Sequence, residues 1–217
     1  MAVRERLILV GAGGFGRELY FWAGDCLSAG TLPALAGYID DVVPDMPGYE
    51  LTRLATLQDY VPVPGDLFLV ALGDPAKKRL VVELLKTRGA RFATLRHPTA
   101  TVVRTASIAE GVIMCPYTMA MPDSRIERFA TLINYSGVGH DSVLGEFSTL
   151  SSQVDVTGNV RIGKDVMIGS GARLLPRITV GDGATVGAGA IIVRSVKPGM
   201  TMFAAPAKLL SMAPKEG

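Results

Sequence analysis

The chain has 217 residues, a formal net charge of +2, 48% hydrophobic residues and 19% charged ones. That length holds one large domain or two small ones, and the apolar share is enough for a packed core, which excludes a disordered chain. So small a charge argues against a nucleic-acid or acidic-membrane partner, and no apolar run approaches a membrane span.

In chain order, LILV (7–10) is too short for a signal peptide and reads as a buried strand. GAGGFG (11–16) follows, then a helix from Arg17 to about Leu27. Strand, glycine turn and helix together give a G-x-G-x-x-G match its meaning: glycines let backbone amides approach a phosphate at a helix N-terminus. LAGYIDD (35–41) reads as a second strand ending in Asp40 and Asp41, placed for a ribose hydroxyl or a base edge. Thr56 to Tyr60 reads as a short helix capped by Thr56, and DLFLVALG (66–73) as a third strand that ends in Gly73. A helix over 76–87 and a fourth strand over 91–98 complete a β-α-β-α-β-α-β order, which predicts a small parallel sheet with helices on both faces. About half of a full dinucleotide fold is present, which suits a mononucleotide or nucleotide-sugar better than NAD.

From Val102 to Ile192 an aliphatic or small residue recurs at every sixth position, sixteen times without a slip. A period of six fits neither a helix nor an ordinary strand and predicts a hexapeptide β-helix, three hexads to a triangular coil and about five coils. The glycines that often follow the aliphatic position (139, 145, 163, 169, 181 and 187) are expected to supply turn conformations closed to other residues. After Ile192 the repeat stops, with a turn at Pro198-Gly199 and a terminal helix over 208–212 that would cap the last coil. The reading divides the chain into a nucleotide-binding unit (1–97), a β-helix (98–193) and a C-terminal cap (194–217).

Few residues can do chemistry. Cys26 and Cys115 show neither metal-ligand spacing nor a disulfide framework, which suits a reducing cytosol. His97, before Pro98 at the junction, reads as structural. His140 falls on a turn or outward position of a coil, directly before Asp141 and one hexad after Asn134. An exposed histidine beside a carboxylate is either a general base whose imidazolium is stabilised as it forms or an inert surface pair. No G-x-S-x-G elbow, paired carboxylates or metal cluster offers another route, so direct attack assisted by His140 is the economical mechanism.

GAGGFG, the GYIDD strand end, NYSGVGHD and the hexad array closing in APAK together resemble the bacterial sialic acid O-acetyltransferase-like and nucleotide-amino-sugar N-acetyltransferase family. The resemblance implies a Rossmann-like α/β domain followed by a left-handed parallel β-helix, and a homotrimer with active sites between subunits; a cytoplasmic location is the expectation from the cysteine usage and the short apolar runs. It also implies acetyl-CoA as acyl donor with no metal, and a nucleotide-linked amino sugar of surface-glycan biosynthesis as acceptor. His140 corresponds to the general base, Asp141 to its acidic partner and Gly158 to an oxyanion-stabilising amide. Gly13, Gly14, Phe15, Asp40, Asp41, Gly73 and Asn134 correspond to substrate contacts, and Thr149, Ser170 and Ala188 to acetyl-CoA contacts. Three features depart from the family pattern: Phe15 where relatives have histidine, Ala204 where the closing motif has glycine, and a shorter interval from Asn134 to His140. The rival expectations are O-acetylation of a free sugar such as sialic acid, a non-catalytic nucleotide-binding scaffold, and an NAD-dependent oxidoreductase.

Overall fold

The computed structural model describes residues 4–206, so the expected terminal helix over 208–212 lies outside the described residues. Strand β1 (Arg6–Val10) is the centre of a five-stranded parallel sheet. Its other strands are β2 (Leu35–Ile39), β3 (Arg53–Ala55), β4 (Asp66–Val70) and β5 (Arg91–Phe92), in the spatial order β3-β2-β1-β4-β5. Alternation along LILV sends successive side chains to opposite faces. Leu7 and Leu9 meet Leu19, Ala23 and Cys26 of α1 (Gly14–Ser28) on one face. Ile8 and Val10 meet Val82 and Leu85 of α2 (Pro75–Thr87) on the other.

The alternation of strand and helix is less complete than the sequence pattern predicts. Residues 56–60 form one turn, not a helix: Thr56 Oγ1 accepts from Asp59 N–H at 3.0 Å, and the chain then meets Pro62 and Pro64. A residue before proline is pushed out of the helical region, so the turn cannot propagate. Before it lies the edge strand β3, which no sequence signal announces. The fourth expected strand is two pieces. Phe92 stays in the sheet beside Phe68, whereas Leu95 and Arg96 pair with Ile113 and Met114 of the β-helix.

The hexad array folds as predicted into a parallel β-solenoid with faces of six, five and seven strands. Through the hexad array each two-residue strand pairs in register with the strand eighteen residues on, and only the last pairing, Thr185 with Thr201, shortens to sixteen; Val138, for example, lies between Ala120 and Val156. The hexad residues from Ala120 to Ile192 form one continuous buried column, with Val102 and Ile108 only partly covered at its start. The glycines after the aliphatic position have a different role from the one expected. None of them has positive φ; a side chain at Gly139, Gly145 or Gly169 would instead strike the backbone of the next coil. The left-handed turn residues sit two positions later and include Asp123, Asp141, Asn159 and Asp165, along with Tyr117, Phe129, Tyr135 and Phe147. Asp and Asn tolerate that region because their short polar side chains bond locally.

Helix α2 locks the sheet unit onto the solenoid. Phe129 and Phe147 stack at 5.1 Å and join the α2-side core, with the Arg79 guanidinium 4.1 Å above the Phe147 ring. Arg79 also grips Asp165 through two bonds, at 2.8 and 2.7 Å. Beside it Lys78 is wholly buried, its Nζ donating to Thr131 Oγ1 at 2.8 Å and Thr149 Oγ1 at 3.1 Å. Burial pushes the Lys78 ammonium down to about 7, against the pull of Asp165 and Asp74. An unfolded lysine titrates near ~10.4, so between about pH 7 and 10 the unfolded chain holds a proton that the folded chain lacks. Stability should therefore rise with pH across that window, and the full burial penalty is felt below it. Lys78→Met removes this dependence. On raising the pH from about 7 to 9.5, wild type should gain on the order of 3 kcal/mol relative to that variant in parallel denaturation curves. A pH-independent difference would mean that Lys78 stays charged in the fold.

Candidate functional site

The solenoid presents His140 on the edge between its six-stranded and five-stranded faces, in the corner between Val138 and Val143. Inward packing of Val138 and Ser142 fixes the two ends of that corner, and both are fully buried. The left-handed turn at Asp141 (φ 58°) brings its carboxylate back to the neighbouring ring, where Oδ2 lies 2.7 Å from His140 Nδ1. An ionised carboxylate can only accept, so Nδ1 carries a proton, and in the neutral imidazole Nε2 keeps its lone pair. Nε2 lies over Gly158 of the next coil, where a Cβ would fall inside the imidazole. His140 remains 60% exposed, and its cleft of about 450 Å³ is lined by Met119, Met121, Pro122, Gly137, Asp155 and Thr157. An oriented imidazole with a bare nitrogen facing a largely apolar cleft can accept a proton from a bound nucleophile.

Stacked along this edge are Pro122, His140, Gly158 and Pro176, linked by Asp141 N–H to the Pro122 carbonyl, Asn159 N–H to the His140 carbonyl and Arg177 N–H to the Gly158 carbonyl. The proline positions have no N–H to offer, whereas the Gly158 N–H makes no hydrogen bond within the described residues. It is a free donor beside the histidine.

The other expected site residues gather elsewhere. Asn134, Ser170 and Ala188 belong to a different edge, between the seven- and six-stranded faces, where Gln153 N–H bonds to the Asn134 carbonyl and Gly189 N–H to that of Ser170. Asn134 Oδ1 is buried there without a hydrogen-bond partner among the described residues. Ser170 and Ala188 are exposed on that edge, whereas Thr149 is fully buried under α2, its hydroxyl taken by Lys78. Thr149 is thus unavailable to a ligand, because α2 covers the face on which it lies. Within one chain these residues do not converge on His140.

The carboxyl ends of β1 and β2 form a second cleft of about 320 Å³, lined by Gly11, Asp40, Asp41, Val42, Leu57, Leu72, Lys77 and Leu80 among others. Gly11 has φ +95°, and a side chain at Gly16 would strike the Gly11 carbonyl, so these two glycines set the turn and the close helix–strand packing. Gly13, Gly14 and Gly73 face open space. Asp40 is more occupied than the sequence suggests: Oδ2 accepts from Ala12 N–H, and Oδ1 from Val42 and Val43 N–H, all at 2.7 Å. Burial raises its carboxyl pKa, but those amides outweigh it and hold the group below the usual range. Asp40 therefore organises the glycine loop. Asp41 is exposed and lines the cleft, with only Oδ1 taken, by Leu57 N–H at 2.7 Å. Phe15 packs edge-on against Trp22 in the α1-side core, on the opposite face of the sheet from the residues of the cleft. Sequence reasoning missed Lys77, which the Asp74 cap and Pro75 place in the first turn of α2 at the cleft. The Gly73-Asp74-Pro75 cap motif was the available signal.

His97 is structural, as expected: it is buried, its Nε2 lies 3.1 Å from Asp25 of α1, and its Nδ1 accepts from Thr99 N–H. Among the described residues no helix is long and apolar enough to cross a membrane.

The family described as bacterial transferase hexapeptide (six repeats) matches residues 159–194. Comparison with curated proteins gives no match. Among solved structures, the acetyltransferase domain of PglB from Neisseria gonorrhoeae is 30% identical, with a TM-score of 0.85 over 95% of this chain and 100% of that one. The same domain in complex with acetyl coenzyme A gives 30% identity and a TM-score of 0.84, covering 96% and 100%. WeeI from Acinetobacter baumannii is 25% identical, with a TM-score of 0.83 over 95% and 100%. A histidine-to-asparagine mutant of perosamine N-acetyltransferase from Caulobacter crescentus, in complex with CoA and GDP-perosamine, shares the fold at 23% identity and a TM-score of 0.80, covering 95% and 97%. With 30% identity across the whole PglB acetyltransferase domain, the chain belongs to the bacterial hexapeptide-repeat acyltransferases, in the left-handed β-helix group that includes that domain.

Proposed function

We propose that this enzyme transfers an acetyl group from acetyl-CoA to the amino group of a nucleotide-linked amino sugar, with His140 as general base. The observation that carries the reading is the His140–Asp141 pair, oriented at 2.7 Å with its free nitrogen over Gly158 and an open cleft. The amine nitrogen attacks the thioester carbonyl and its proton passes to His140 Nε2. The C–N bond forms, the C–S bond breaks, and the imidazolium returns the proton to the departing thiolate. Asp141 stabilises the imidazolium and the free Gly158 N–H stabilises the oxyanion, a contribution commonly worth about 3–4 kcal/mol. The nucleotide would occupy the cleft of Asp41 and Lys77, where open parallel sheets bind ligands, and residues 1–97 are read as a reduced Rossmann-like domain. The bound acetyl coenzyme A of the PglB domain and the GDP-perosamine of the Caulobacter protein support these two ligand classes.

His140 and the edge of Asn134, Ser170 and Ala188 are separated within one chain, which supports an active site completed by a neighbouring solenoid, as in a homotrimer. A cytoplasmic place in surface-glycan biosynthesis fits this chemistry.

The test is to incubate the protein with acetyl-CoA, pooled UDP-, GDP- and dTDP-amino sugars and free sialic acid, then read product masses. One nucleotide-amino sugar gaining an acetyl group is expected. Acetylation of the free sugar alone would replace the reading with O-acetyl transfer, and no product in any pool would refute this donor and acceptor pairing.

A further inference from the structure

We infer that Ser142 is a positioning residue for His140, an inference that rests on the general-base reading above. Ser142 is fully buried. Its hydroxyl accepts from Val160 N–H at 2.9 Å and donates to the Thr157 carbonyl at 2.8 Å. A hydroxyl has one proton, and the His140 carbonyl, at 3.3 Å, is the more distant acceptor. Thr157 and Val160 are the two ends of the corner whose middle is Gly158, the floor beneath the imidazole. A third bond, from Asn159 N–H to the His140 carbonyl at 2.9 Å, closes the connection. One buried hydroxyl thus holds both ends of the Gly158 corner against the corner that carries the base. It sets the height of the imidazole above Gly158 and, through that, the geometry of the bond to Asp141.

The rest of the solenoid separates this role from simple architecture. Ser124, one coil earlier on the same edge, and Ser136 are buried with no hydrogen-bond partner among the described residues, so a serine here does not stitch coils by default. Ser148, one hexad later, makes the same two bonds, to the Gly163 carbonyl at 2.7 Å and from Val166 N–H at 2.9 Å. Its corner carries no histidine. Ser148 therefore supplies an internal control, with equal loss of bonding at a corner that does no chemistry.

In the full-length protein, Ser142→Ala and Ser148→Ala should lower the thermal midpoint by similar amounts. Only Ser142→Ala should lower kcat, about tenfold or more with KM unchanged, because small misplacements of a reacting group are costly. A second readout needs no acceptor. The chain has two histidines, so imidazole nitrogen NMR resolves both rings, with His140→Ala as the assignment. In Ser142→Ala the His140 Nε2 resonance should shift and broaden as the Asp141 bond loosens, while in Ser148→Ala it should stay in place. Ser142→Cys keeps the volume with weaker bonds, should fall between, and serves if the alanine variant does not fold. A wild-type His140 signal in the Ser142 variants, or an equal change in Ser148→Ala, would overturn the inference. A selective shift without measurable acetylation by any of the proteins would uphold Ser142 and reject the acyl-transfer reading instead.

Discussion

His140→Ala is expected to lose about 10²–10⁴-fold in kcat, the usual contribution of a positioned general base, while acetyl-CoA binding survives. The side chain is 60% exposed and its ring makes one side-chain hydrogen bond, to Asp141, so truncation leaves no cavity and should not disturb the fold. The coil beneath keeps its registration, because Asn159 N–H bonds to the backbone carbonyl of residue 140 and not to its ring. The measurement is kcat and KM with saturating donor, beside acetyl-CoA binding by calorimetry. Turnover within about threefold of wild type would remove His140 from the mechanism as general base, since a positioned base typically contributes about 10²-fold or more. Loss of donor binding together with turnover would make His140 a binding residue.

The solenoid was legible because its rule is local: one aliphatic residue at every sixth position, with pairing partners three hexads apart through the array. Ile126, Leu144 and Ile162 stack in the structure as the spacing demands. The His140–Asp141 pair was legible for the same reason, since adjacent residues on a fixed corner leave the fold little freedom. What escaped depended on the third dimension. The family resemblance marked Thr149 as an acetyl-CoA contact, and only the docking of α2 reveals that Lys78 takes its hydroxyl. Asp40 stood at a strand end where a ribose contact was expected, but the loop turns back and fills both oxygens with amides. The glycines after the aliphatic position looked like turn residues because glycine usually serves turns. Here the crowding comes from residues sixteen to nineteen positions away, which no local window contains. The helix expected at 56–60 fails because Pro62 and Pro64 push the residues before them out of the helical region, a signal that the sequence itself carries.

Gly158→Ala should cut kcat about 100-fold while leaving the solenoid folded. Gly158 does not have positive φ, so alanine suits the backbone, and the damage falls on what the new methyl meets. It meets His140, at Nε2, Cε1 and Cδ2. An exposed imidazole can swing away at little cost to stability, but in doing so it departs from Asp141 and from the line of attack. Displacement of a reacting group by about 1 Å can cost ~100-fold. The N–H of residue 158 survives the substitution, so an oxyanion contact alone predicts a nearly normal rate. A double-mutant cycle tests whether the loss runs through the imidazole. If Gly158 acts as the floor for the imidazole, adding Gly158→Ala to His140→Ala should cost less than about threefold, because the group it displaces is already gone. A further large loss in that background would show that the methyl acts on something other than the imidazole, and a wild-type rate in the single variant would deny Gly158 the floor role while leaving an oxyanion contact through its N–H intact.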